Sequence, residues 1–227
     1  MTEPIRVLIV DDQHLIRLGF RLVLEAEADI EVTGEAADGA EAVQQTERLR
    51  PDVILMDVRM PRLDGIAATE QIVRAWPGAR ILILTTFDLD DYAFAAIRAG
   101  ASGFLLKDAQ RSELVAAVRA VHGGDAALSP RITLRLIDLV GTIPAHATPP
   151  SFPALTDRET EVFTAIARGL TNAEIAGELY LSESTVKTHV GRVLAKVGAR
   201  DRVHAVILAH QAGVVPAAPD PPAGSPA

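Results

Sequence analysis

From residue 5 to about 122, short apolar runs alternate with longer segments in which apolar residues recur at helical spacing. The runs are Val7-Leu8-Ile9-Val10, Val53-Ile54-Leu55-Met56, Ile81-Leu82-Ile83-Leu84 and Phe104-Leu105-Leu106. Uninterrupted runs of this kind mark strands covered on both faces of a parallel sheet. Ile30 to Ala36 is more polar and reads as a further strand, at an edge. Between the strands, Leu15, Leu18, Phe20, Leu22 and Val23 mark a helix ending near Ala28. Ala40, Val43 and Leu49 mark a second helix, which Pro51 terminates. Ile66, Ile72, Val73 and Trp76 mark a third, stopped by Pro77-Gly78. Tyr92 to Ala99 is a fourth, closed by Gly100, and Leu114, Val115, Val118 and Val121 a fifth, closed by Gly123-Gly124.

Five such units suit an α/β, flavodoxin-like winding with strand order 2-1-3-4-5. After residue 124 the pattern changes. Ser129-Pro130 opens a short apolar helix through about Val140, and Gly141 to Pro153, with four prolines, reads as a semi-extended linker. Beyond it the pattern is helical only. Thr156-x-x-Glu159 and Thr171-x-x-Glu174 are capping boxes. Ser182 caps a third helix with the apolar stripe Val186, Val190, Val193, Leu194 and Val197, and Val203 to Gln211 makes a fourth. A tight turn at Leu179-Tyr180-Leu181 between the second and third helices predicts a helix-turn-helix. The expected division is residues 1–123, a linker over 124–153, an all-α four-helix domain over 154–216, and a disordered tail over 217–227.

A chain of 227 residues, 48% apolar and 23% charged, has room for two cores. With no cysteine it has no disulfide or thiol chemistry. No signal sequence or membrane-length apolar stretch is present, so a soluble, cytoplasmic protein with no membrane partner is expected. The net charge of −8 speaks against nucleic acid until its distribution is considered. Residues 185–202 hold five cations (Lys187, Arg192, Lys196, Arg200, Arg202) against one acid, Asp201. A local cationic face is what phosphate contact requires.

Polar residues at the strand ends carry the candidate chemistry. Asp11 and Asp12 follow the first run, Asp57 the second, Thr85 and Thr86 the third, and Lys107 the fourth. Ligands of open α/β sheets bind at that carboxyl edge, and the strand order brings these ends to one crevice. A carboxylate can accept a phosphoryl group, and such transfer asks mainly for positioning and for cations near the phosphoryl oxygens. Clustered carboxylates repel unless a cation joins them. Mg2+ fits, with Asp12 and Asp57 as direct ligands, Asp11 direct or through water, and the Arg59 backbone carbonyl within reach. Lys107 and Thr85 would contact the phosphoryl oxygens, and Asp57 would be the acceptor. Gly34, Gly39 and Gly65 read as turn glycines and form no phosphate loop.

The segments Val10-Asp11-Asp12, Met56-Asp57-Val58-Arg59-Met60-Pro61-x-Leu63-Asp64-Gly65, Leu84-Thr85-Thr86 and Leu106-Lys107-Asp108 resemble the receiver domain of two-component response regulators. Leu155-Thr156-x-Arg158-Glu159, Asn172-x-x-Ile175-Ala176 and Ser184-Thr185-Val186-Lys187-x-His189-Val190 resemble a LuxR-type helix-turn-helix. The arrangement is similar to that of the NarL/FixJ family. The resemblance implies phosphorylation of Asp57 by a sensor histidine kinase, a homodimer when phosphorylated, and transcriptional control through double-stranded DNA rather than an enzyme's turnover. It also implies that Phe104 stands at the family's aromatic switch position. Gln13 stands where many relatives have histidine, which leaves the metal ligands intact. By the same resemblance Lys187 and Thr188 would read bases, Arg192, Lys196 and Arg202 would hold the DNA backbone, and Ser184 and His189 of the same helix would be further DNA-binding residues. Gly191 removes a side chain where relatives often have a long polar one. Unphosphorylated receiver is expected to cover part of the 182–197 helix, and phosphorylation to release it.

Three other functions fit less well. A phosphatase of the haloacid-dehalogenase kind needs an acid two residues past Asp57, where Arg59 stands. A flavin carrier needs a hydroxyl-rich loop in place of Asp11-Asp12. A DNA binder that has lost phosphorylation has no need to keep Asp12, Asp57, Thr85 and Lys107 together.

Overall fold

A computed structural model of the chain describes residues 3–85, 89–125, 152 and 155–214. The expected short helix near 129–140, most of the linker, the tail and Thr86 lie outside the described residues. The chain divides into two compact units.

In the first, β1 (Ile5–Val10), β2 (Ile30–Ala36), β3 (Val53–Asp57), β4 (Ile81–Thr85) and β5 (Gly103–Leu106) form one parallel sheet in the order β2-β1-β3-β4-β5. The apolar runs behave as their composition requires: every residue of β3 and β4 is buried. β2 takes the edge, as its polar residues predict. The sheet is flanked by α1 (His14–Glu25), α2 (Gly39–Leu49), α3 (Gly65–Ala75), α4 (Leu89–Ala99) and α5 (Arg111–His122). One core joins Val7, Ile9, Leu55, Leu82 and Leu84 to Leu24 of α1 and to Leu114, Val115, Val118 and Val121 of α5.

α1 stops three residues short of the expected Ala28. The Asp29 carbonyl accepts from the Ile5 amide at 2.8 Å, so the strand ladder claims the chain before another helical turn can form. Its apolar residues also divide between two faces. Phe20, Val23 and Leu24 pack on the core, whereas Leu15, Leu18 and Leu22 are exposed. α2 and α3 begin at aspartate caps that the sequence pattern leaves unmarked: Asp38 accepts from the Glu41 amide and Asp64 from the Ala67 amide.

In the second unit, α6 (Asp157–Ala167), α7 (Asn172–Leu179), α8 (Glu183–Val197) and α9 (Arg202–Gln211) surround Phe163, Ile166, Ile175, Val186, Val190 and Val193. Both capping boxes form, with Glu159 accepting from the Thr156 amide at 2.8 Å and Glu174 from the Thr171 amide at 2.7 Å. Ser182 caps α8 by accepting from the Thr185 amide. Between α7 and α8 the chain turns at Tyr180, a non-glycine residue in the left-handed region (φ 54°), whose amide donates to the Ala176 carbonyl. Arg158 fixes this turn by donating to the Leu179 carbonyl at 2.7 Å.

Candidate acidic site and nucleic-acid interface

Strand register brings the acidic residues together. Val10 pairs with Met56, so the next step sets Asp11 beside Asp57; Asp57 itself pairs with Leu84, and Thr85 with Leu106. Lys107 follows at once, its amide donating to the Thr85 carbonyl at 2.7 Å. Asp11, Asp12 and Asp57 each offer a carboxylate oxygen within 4.8 Å of the others. Asp11 and Asp57 are buried and Asp12 is exposed, so the cluster opens to solvent on one side only.

Lys107 Nζ lies 2.5 Å from Asp11 Oδ2 and 3.0 Å from Asp57 Oδ1, with its side chain 7% exposed. One ammonium therefore serves two buried carboxylates. Burial pushes the Asp57 carboxyl above its ordinary range; the hydrogen bond and charge of Lys107 oppose that push, and the Asp11 charge adds to it. The Oδ2 of Asp11 is buried and, despite the nearby ammonium, receives no well-directed hydrogen bond. An under-satisfied oxygen among hard carboxylate donors fits a divalent cation of the magnesium type. Thr85 is buried at the end of β4. Arg59 is exposed in the loop after β3. Phe104 is 3% exposed within β5, facing inward.

The opposite face of α8 carries the expected nucleic-acid contacts unevenly. Ser184, Lys187, Thr188 and Arg192 are exposed. His189 is half-buried, and its Nδ1 has no hydrogen-bond partner. Gly191 is exposed with open space around it. Lys196 is bound to Glu159 of α6 at 2.6 Å, so its charge is already matched within the unit. Arg202 opens α9 rather than lying on α8, and is 7% exposed. A count of cations along the sequence registers both and cannot see their burial or partners.

Residues 7–119 match the family described as the response regulator receiver domain, and residues 153–209 that of bacterial regulatory proteins of the luxR family. The transcriptional regulatory protein YxjL of Bacillus subtilis is 46% identical over 94% of this chain and 98% of its own length. LiaR of the same organism is 42% identical over 91% and 97%. The chain belongs to the LuxR-type two-component response regulators. Among solved structures, the response regulator ChrA of a heme-sensing two-component system is 36% identical, covers 94% of this chain and 100% of its own, and superposes with a TM-score of 0.51. The relatives are transcriptional regulators, not enzymes. Among the described residues no helix is long and apolar enough to cross a membrane.

This response regulator also has site residues that pattern reading missed. A Cβ on Gly65 would lie 1.9 Å from the Asp57 carbonyl oxygen, and the Gly65 amide donates to the Val58 carbonyl at 2.9 Å. Gly65 is therefore packed against the end of β3, where close backbone approach excludes any side chain. Gly39 is similarly confined, with the Leu63 carbonyl 2.5 Å from its would-be Cβ. The sequence pattern reads both as turn glycines, with Gly65 ending the receiver-like motif, whereas they open α3 and α2 and their confinement is tertiary. Arg17 and Glu35, too, border the acidic residues without any motif to mark them.

Proposed function

We propose that Asp57 accepts a phosphoryl group from a sensor histidine kinase and that the acyl phosphate shifts this cytoplasmic regulator toward a DNA-binding homodimer. The observation that carries the proposal is the buried pair Asp11 and Asp57 sharing the Lys107 ammonium at 2.5 and 3.0 Å, with Asp12 on the open side. In the transfer an Asp57 oxygen bonds to phosphorus while the donor's P–N bond breaks and its electron pair stays on the histidine nitrogen. Mg2+ would be held by Asp11, Asp12, Asp57 and the Arg59 carbonyl, where it supplies positive charge against the phosphoryl oxygens. Lys107 offers its ammonium to one of those oxygens and Thr85 its hydroxyl to another. Movement of Thr85 toward the phosphoryl group would open space for Phe104. On the output side, Lys187 and Thr188 would reach base edges and Ser184, His189 and Arg192 the flanking backbone, since a recognition helix contacts bases near its N-terminal end.

The test uses the full chain with acetyl phosphate. Wild type should acquire one phosphoryl group only with a divalent ion present, elute as a dimer, and shift double-stranded genomic fragments at lower concentration. Asp57→Asn should do none of these. Labelling of Asp57→Asn to the same extent, or dimerisation of both proteins alike, would refute the proposal.

A further inference from the structure

Three polar groups of Asp11 are hydrogen-bonded and the fourth faces an ammonium. Its amide donates to the Ala36 carbonyl of β2 at 3.1 Å, Oδ1 accepts from the Gln13 amide at 2.9 Å, and Oδ2 lies 2.5 Å from Lys107 Nζ. The remaining group, its carbonyl, accepts from Arg17 Nη1 at 2.7 Å. Arg17 stands one turn into α1, and its side chain is only 14% exposed. Its Nε meets Glu35 Oε2 at 3.0 Å, while Arg21 Nε meets the other Glu35 oxygen at 2.7 Å. Glu35 belongs to β2 and pairs in register with Ile9 of β1. The guanidinium thus joins α1, the peptide that links Asp11 to Asp12, and the edge strand.

We infer that Arg17, held by Glu35, is a positioning residue that fixes the Asp11–Asp12 peptide for divalent-cation binding. The chemistry suits the task. A planar guanidinium can direct one N–H to a carbonyl and another to a carboxylate at once, which a single ammonium cannot do with the same geometry. Glu35 balances the guanidinium's charge, so a cation beside the metal site orients its ligands without repelling the ion. Burial pushes the Glu35 carboxyl up, and its hydrogen bonds to Arg21 and Arg17 outweigh that push and keep it ionised. Asp12 is exposed, so the peptide's anchorage at Asp11 is what limits where its carboxylate can point. Partners one shell out from metal ligands commonly change affinity about 10- to 100-fold when lost.

The inference rests on the acceptor-site reading, and one experiment separates the two. Mn2+ binding to the full chain is followed by electron paramagnetic resonance, with displacement by Mg2+, for wild type, Asp12→Asn, Arg17→Met, Arg17→Lys and Glu35→Gln. Unfolding midpoints are measured without metal. Wild type should bind one displaceable ion and Asp12→Asn should bind it far more weakly. Arg17→Met should lose about tenfold in affinity while still unfolding cooperatively. Arg17→Lys should recover part of the loss, and Glu35→Gln added to Arg17→Met should cost nothing further. A purely structural role would lower the midpoint and leave affinity unchanged; affinity within twofold of wild type in folded Arg17→Met overturns the inference. If Arg17→Met does not fold, wild-type affinity in both Arg17→Lys and Glu35→Gln overturns it equally. Wild-type affinity in Asp12→Asn would instead remove the acceptor-site reading.

Discussion

Replacing Lys107 by Met keeps the aliphatic stem and deletes the charge, which leaves Asp11 (0% exposed) and Asp57 (6%) facing each other with no counter-ion. At an effective dielectric near 20, contacts of this length attract by about 6 kcal/mol each before the cost of desolvation. Removing one partner from a buried pair costs on the order of 3–5 kcal/mol net. Proton uptake by one carboxylate caps the loss, so the lower end of that range is expected at neutral pH. With a urea dependence of about 1.5 kcal/mol per M, a loss of about 3 kcal/mol lowers the midpoint of the receiver transition by about 2 M. Divalent cation should reverse much of this, because it supplies the missing charge at the same carboxylates. Saturation at about 100 times the dissociation constant returns about 2.7 kcal/mol. The assay is urea unfolding of the full chain at pH 7, in chelator and again in Mg2+. Equal midpoints for Lys107→Met and wild type in chelator would refute the reasoning. So would a midpoint of the variant that Mg2+ fails to raise.

Three further outcomes are expected. Gly65→Ala must move the Asp57 carbonyl, 1.9 Å from the new Cβ, and should destabilise the receiver by roughly 1–3 kcal/mol and slow phosphorylation; Gly177→Ala in α7, with nothing within 4 Å, should stabilise by about 0.5–1 kcal/mol. Glu159 is held down to about 2, first by its hydrogen bond to Lys196 and then by the Thr156 backbone, against an ordinary value of 4.5. Its contribution is present above about 4.5 and is lost as pH falls toward 2, so thermal midpoints of wild type should fall more steeply than those of Glu159→Gln over that window. In DNA binding, Arg192→Ala should reduce the slope of log affinity against log salt by about 0.9, whereas Lys196→Ala should leave it nearly unchanged; equal effects of the two would show that the Glu159 pairing opens on DNA.

Strand order and the meeting of Asp11, Asp57 and Lys107 were legible because each depends on short-range pattern: uninterrupted apolar runs, each followed at once by a polar residue. The capped helices were legible for the same reason, since Thr156, Thr171 and Ser182 act on amides three positions ahead. What escaped is tertiary. The split of α1 into a core face and an exposed face follows from where the sheet lies, not from its leucines alone. The early end of α1 follows from Asp29 pairing with Ile5, 24 residues upstream in the chain. The confinement of Gly65 is set by the return of the chain to the Asp57 carbonyl, and the partners of Arg17 and Lys196 are distant in sequence.

Charge availability, rather than charge count, connects the two halves of the regulator. At the acidic site three carboxylates face one ammonium, so on the proposed function an anionic phosphoryl donor would meet net negative charge until a divalent ion is bound. Lys107 cannot remove that barrier, because its charge is already divided between Asp11 and Asp57. The same accounting applies on α8. Lys196 is spent on Glu159, which leaves Lys187 and Arg192 as the exposed cations of this helix. Two exposed cations per protomer give a weak electrostatic term by themselves. Doubling them by joining two protomers on adjacent half-sites would raise affinity steeply without any new base contact. On the proposed function, in which phosphorylation acts through dimerisation, so few free charges make the dimer the tighter DNA binder, and a monomer that bound its operator as tightly as the dimer would contradict this link.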